Sequence, residues 1–168
     1  FGFNHEAAID SFREALRLDP TCGLCHWGIA LALGPNINRP MGPDAAAEAF
    51  RESQKALVLT AQSGNIREQA YAQALATRYS SPAPEDRTAL DLAYADAMRA
   101  LHEADPSDDD AAVFFAESLM DLYPWAYWTA EREPREYTAE IVATLEAVLA
   151  RSPEHVGANH FYIHAVEE

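Results

Sequence analysis

Residues 14–33 read EALRLDPTCGLCHWGIALAL: apolar residues at helical spacing up to Leu18, a break at Asp19-Pro20, then a second apolar run that opens almost at once. Proline lacks the backbone donor that a helix interior requires, so the first helix stops there and another begins within a few residues. The stretch is therefore a helical hairpin with a short turn. Three more stretches align with it on a small residue followed by leucine: KALVLTAQSGNIREQAYAQAL (55–75), RALHEADPSDDDAAVFFAESL (99–119) and AVLARSPEHVGANHFYIHAV (147–166). Their anchors Leu16, Leu57, Leu101 and Leu149 lie 41, 44 and 48 residues apart, which makes an internal repeat. A hairpin of this size cannot bury its apolar face alone and must stack on a neighbour.

The pattern predicts an all-α chain of eight helices, near 4–18, 22–33, 44–60, 65–79, 86–104, 108–122, 136–151 and 155–167. No stretch alternates with a period of two, so strands are not expected. Ser107 followed by Asp108, Asp109 and Asp110 reads as a helix cap with carboxylates in the first turn, opposing the positive end of the helix dipole. A calcium loop would instead alternate its ligands around a central glycine.

Composition narrows the function. With 27 acidic and 12 basic residues the net charge is -15, which repels nucleic acid and anionic lipid. No apolar run approaches a membrane span, so no membrane insertion is expected. There is no Gly-rich phosphate loop, nucleophile elbow or His-Glu-x-x-His run, and the scattered carboxylates read as solvating charge, so the chain reads as non-enzymatic. The aromatic run YPWAYW (123–128) reads as a core plug under a long loop.

The turn and the helices flanking it resemble the tetratricopeptide repeat. Ala15, Leu16, Asp19 and Pro20 stand where that family has its Ala-Leu pair and Asp-Pro turn, and Trp27, Ile29, Ala30 and Ala32 follow its aromatic and small positions. Asp105-Pro106 and Ser152-Pro153 repeat the turn; the second unit lacks it, and the spacing exceeds the family's roughly 34 residues. The CxxC, WG and LGPNIN stretch resembles a bacterial branch of these proteins. The resemblance implies a single repeat domain over 1–168, a right-handed superhelical solenoid, and protein–protein association rather than chemistry of its own.

In that register the chain, which has no initiator methionine, opens on the second helix of one hairpin and closes on the first helix of another. Uncovered apolar residues are then expected at both ends: Phe3, Ile9 and Phe12 on the first helix, and Phe161, Ile163 and Val166 on the last. Either copies stack head-to-tail through these faces, or the chain is a fragment of a longer solenoid.

Cys22, Cys25 and His26 form the one constellation with chemical character. Cys-x-x-Cys-His is the attachment pattern of c-type haem, with both thiols as thioethers and the histidine on iron; His5, His160, His164 or Met41 would supply a sixth ligand. That reading makes the chain an electron-transfer protein and places it outside the cytoplasm. Two thiolates and an imidazole also suit zinc or copper, one ligand short of a tetrahedral site. His160 and His164, four apart on one helix, with His5, are the further ligands, brought to Cys22 by head-to-tail stacking. In the third reading the cysteines are small packing residues or a disulfide, and the chain is a metal-free peptide-binding adaptor with a groove lined by Tyr71 and Phe115. His102 and His155 read as solvent-facing. The favoured reading is a repeat scaffold for protein association or self-assembly that carries a transition-metal or haem site.

Overall fold

The computed structural model describes residues 1–63 and 65–167. Eight α-helices form among them: α1 (His5–Leu18), α2 (Gly23–Leu33), α3 (Pro43–Ser63), α4 (Ile66–Ala76), α5 (Thr88–Ala104), α6 (Asp109–Met120), α7 (Thr138–Arg151) and α8 (Val156–Val166). All the expected helices are present, with ends displaced by no more than about three residues. Among the described residues no strand appears, only isolated bridges such as Trp128 to Pro134. No described helix is long and apolar enough to cross a membrane. The protein is all-α, and its helices pack mainly as sequential neighbours.

The chain divides into two compact units. One holds residues 3–35 and 39–97, and the other holds residues 1–2, 36–38 and those from Met98 onward. In the first unit α2 packs on α1, α3 and α4, and in the second α6, α7 and α8 pack in the same mutual fashion. Small residues make these approaches close. Ala30, Ala49, Ala56 and Ala72 are buried in the first unit, and Ala112, Ala116 and Ala158 in the second. Gly28 is the tightest case, since a Cβ there would lie 2.3 Å from Cζ of Phe12 on α1. In the second unit Ile141, Leu145 and Val148 form the buried stripe of α7, and Phe115 and Leu119 of α6 and Phe161 of α8, the helices it packs on, are buried too.

The turns repeat in atomic detail. Ahead of α2, α6 and α8, a backbone bond closes the segment from Cys22 N–H to Asp19 carbonyl, from Asp108 N–H to Asp105 carbonyl and from His155 N–H to Ser152 carbonyl, at 3.2, 3.1 and 3.0 Å. Proline follows the first residue of each turn, where its fixed φ is compatible with the bend. Asp19 accepts bonds from the backbone and hydroxyl of Thr21, and Asp105 does the same for Ser107. The next residue then caps the helix: Cys22, Asp108 and His155, joined by Asn65 ahead of α4, each accept from the backbone N–H three residues on.

Several side chains depart from expectation for local reasons. The cap of α6 is Asp108, because the Ser107 hydroxyl is held by Asp105. Asp109 takes Ser152 at 2.5 Å and Arg151, and Asp110 lies 3.3 Å from His155. His155 is therefore a cap and not solvent-facing, and His102 stacks on Phe115 at 5.8 Å with its Nδ1 buried. Tyr71 and Phe115, expected to line a groove, are core residues. The aromatic run splits. Tyr127 is buried, burial raising its phenol pKa, and Trp128 Nε1 donates to the Ala165 carbonyl at 2.7 Å, whereas Tyr123 and Trp125 are exposed.

Candidate functional site

Cys22 and Cys25 are joined by a disulfide, S–S 2.04 Å, at the N-terminus of α2. Cys22 Sγ is also the helix cap, accepting the Cys25 backbone N–H at 3.1 Å. Cys22 is half-buried and Cys25 is 9% exposed, so solvent reaches the pair from the cap side. The turn residues Asp19 and Thr21 hold the cap in place, and Gly23 admits α3, since a Cβ on it would lie 2.6 Å from Cγ2 of Thr60.

Behind the disulfide is an ionic cluster whose His26 and Glu52 are buried and whose Lys55 reaches solvent. His26 Nδ1 lies 2.5 Å from Oε2 of Glu52 on α3, and Lys55 Nζ donates to the other carboxylate oxygen at 2.8 Å. A carboxylate only accepts, so Nδ1 carries the proton and a neutral His26 keeps its lone pair on Nε2. Burial pushes the Glu52 carboxyl upward, but the bonds from Lys55 and His26 outweigh it and hold the group below the ordinary glutamate range.

This packing bears on the cofactors. Thioether attachment of haem needs both thiols free and an open helix face for the ring. Here the sulfurs are bonded to each other, and the helix is closed by Thr60 at Gly23 and by the Phe12 ring at Gly28. The residues in this state do not fit a haem, and they offer no thiolate to zinc or copper. His5 is elsewhere: it stacks on Phe3 at 5.9 Å and bonds to the backbone of Ala32. Ala32 is ten residues from Cys22, about 15 Å along the helix. Burial lowers the His5 pKa, with the charge of Arg39 acting in the same direction.

His160 and His164, in the other unit, do converge. Their Nε2 atoms are 3.0 Å apart, and His164 Nδ1 lies 2.5 Å from Oε1 of Glu167. With Glu167 fixing the proton on Nδ1, His164 presents its Nε2 lone pair to His160. Burial lowers the His160 pKa, and a protonated His164 beside it acts in the same direction. The Trp125 ring meets His164 edge-on at 5.1 Å. Among the described residues no group of three or more His, Cys, Asp or Glu is placed to hold a metal, so this pair offers two nitrogens.

Two buried charges were not anticipated: Glu52, one of the carboxylates read as solvating, and Arg78. Glu52 shares the phase of Ala49, Ala56 and Thr60, the buried stripe of α3, and that spacing was its one signal. Arg78 is 1% exposed, donates to the Pro35 carbonyl at 3.1 Å and lies over the Tyr94 ring at 4.6 Å. It lies beyond the end of α4, although the sequence reading ran that helix to 79, and an arginine among apolar residues gave no sign of burial. Comparison with protein-family models, with characterised proteins and with solved structures finds no match to this chain.

Proposed function

We propose that the chain is a tetratricopeptide-like repeat scaffold whose function is protein association, through a face of α8 and the loop before α7. What supports the repeat is the fourfold recurrence of a side-chain cap ahead of α2, α4, α6 and α8, three of them preceded by the same proline turn. The observation that carries the association is an apolar stripe on α8. Val156, Ile163 and Val166 lie seven and three residues apart, hence on one face, and all are exposed, Val156 at 70% and Ile163 at 59%. Phe161, grouped with them in the sequence reading, is buried on the opposite face.

Trp125, also exposed, adjoins the stripe through its contact with His164. Its φ of 62° is left-handed, as are those of Arg132 and Tyr137 in the same loop. Non-glycine residues held in that region cost energy, and such residues cluster where a surface is shaped for use. Large apolar side chains gathered at a surface mark association sites in helical proteins. The occupant that fits is another helix layer, supplied by a second copy.

The test is sedimentation of the chain beside Ile163→Glu and Trp125→Ser variants. Concentration-dependent association that both variants abolish supports the reading. A monomer at every concentration, indistinguishable from the variants, refutes it.

The metal part of the reading is favoured at one place, the His160–His164 pair. Two nitrogens 3.0 Å apart can both reach one ion at the zinc–nitrogen distance of about 2.0–2.1 Å, and Glu167 on Nδ1 is the outer carboxylate that metal-bound histidines generally have.

A further inference from the structure

We infer that the Cys22–Cys25 disulfide is a thiol-exchange site, with Cys22 as the sulfur that incoming thiols attack and Cys25 as the buried partner. Three features of its placement carry this. The two sulfurs differ in access, since Cys22 is half-buried at the mouth of α2 while Cys25 is nine-tenths covered inside it. Cys22 Sγ receives the Cys25 backbone N–H at the positive end of the helix, the setting that stabilises a thiolate at Cys22 once the bond opens. The bridge spans only Gly23 and Leu24 within a turn already closed by the Cys22–Asp19 and Cys25–Cys22 backbone bonds, so the fold has little need of it.

Exchange requires a thiol as reductant, either a small molecule or a protein side chain. The thiol RSH loses its proton to solvent, and the thiolate attacks Cys22 Sγ in line with the disulfide. The Cys22–Cys25 bond breaks, Cys25 leaves as a thiolate and takes a proton from solvent, and R is held as a mixed disulfide on Cys22. A second thiolate attacks the sulfur of R and releases Cys22 as the thiolate that the helix end stabilises. In balance, one protein disulfide and two thiols give two protein thiols and one disulfide RSSR; the protein gains two electrons and the thiols lose them. Run backwards, the same steps reduce a substrate disulfide while the protein dithiol closes again to the Cys22–Cys25 bridge.

Behind the pair, His26 of α2 is bonded to Glu52 of α3, which also accepts from Lys55, and this contact anchors α2 to α3. The sulfurs can therefore change state without removing the contact that holds the helix. This inference stands apart from the association proposed above, because it concerns α2 and leaves α8 untouched.

The experiment treats the folded chain with reduced glutathione at neutral pH, quenches with an alkylating agent and locates the label by mass spectrometry, while circular dichroism follows the fold. The disulfide is expected to open with the helical signal retained, and the liberated Cys22 to alkylate at least about tenfold faster than Cys25. Given oxidised glutathione instead, the Cys25→Ser variant is expected to take up one glutathione as a mixed disulfide on Cys22 with release of the other as the thiol, and the Cys22→Ser variant to leave Cys25 unmodified. A disulfide that opens only when the chain unfolds, or equal labelling of the two thiols in the wild-type chain, overturns the inference even if neither variant folds.

Discussion

His26 Nδ1 and Glu52 Oε2 meet 2.5 Å apart with both side chains largely withdrawn from solvent, and the same carboxylate receives Lys55 at 2.8 Å. Removing the carboxylate leaves a buried imidazole N–H and an ammonium without their acceptor. Glu52→Ala is expected to lower stability by about 2 kcal/mol, read from the urea midpoint.

The same pair gives a pH dependence with a definite sign. The folded-state pKa of Glu52 is depressed, so the unfolded chain binds more protons in the window just below the ordinary glutamate range. The stabilisation is fully present above that range and is lost as pH falls through the folded value. Glu52→Gln should flatten this part of the stability profile. A profile as steep in the variant as in the wild type would show that the ionised carboxylate is not the group involved.

Gly28 gives a packing test. A methyl group there would stand 2.3 Å from the Phe12 ring, so Gly28→Ala should cost about 1–3 kcal/mol despite the better helix propensity of alanine. Adding Phe12→Leu should recover part of that loss, and a double-mutant cycle measures the recovery. Strict additivity would mean that the two residues do not touch.

The cap assignments can be separated by substitution. Asn65→Ala and Asp108→Ala should each cost about 1 kcal/mol, with Ser107→Ala costing less than Asp108→Ala. In a Cys25→Ser background, Cys22→Ser keeps an acceptor at the cap and Cys22→Ala does not. The second should be the less stable by a similar amount on thermal unfolding.

For the histidine pair, titration with copper(II) or zinc(II) followed by calorimetry should show binding that His160→Ala or His164→Ala weakens at least about tenfold. Glu167→Gln should weaken it about tenfold or more while leaving both ligands in place. Equal heats for all four chains would rule the pair out.

Much of the helix map was legible because Pro20, Pro106 and Pro153 punctuate strongly periodic stretches, and periodicity reports which face is buried. Even the second repeat, which lacks a proline turn, could be placed from Leu57 and the breaks around it. The site was less legible. Cys22, Cys25 and His26 stood out by type, but one spacing serves a metal, a haem or a disulfide, and only three-dimensional placement joins the sulfurs to each other and His26 to Glu52. His160 and His164 share a helix face, so their meeting followed from spacing alone. His5 and Cys22 lie at opposite ends of α2, a separation fixed by how α1 packs and invisible in the order of residues.

In the proposed repeat α2, α4, α6 and α8 are equivalent elements, each started by a side-chain cap. Amide hydrogen exchange resolved by NMR tests it at the four N–H groups held by those caps: Cys25, Glu68, Ala111 and Ala158. All four are expected to exchange far more slowly than in an unstructured chain, and removing one cap side chain is expected to accelerate its own amide. Unprotected exchange at Glu68, Ala111 or Ala158 in the intact protein would contradict it.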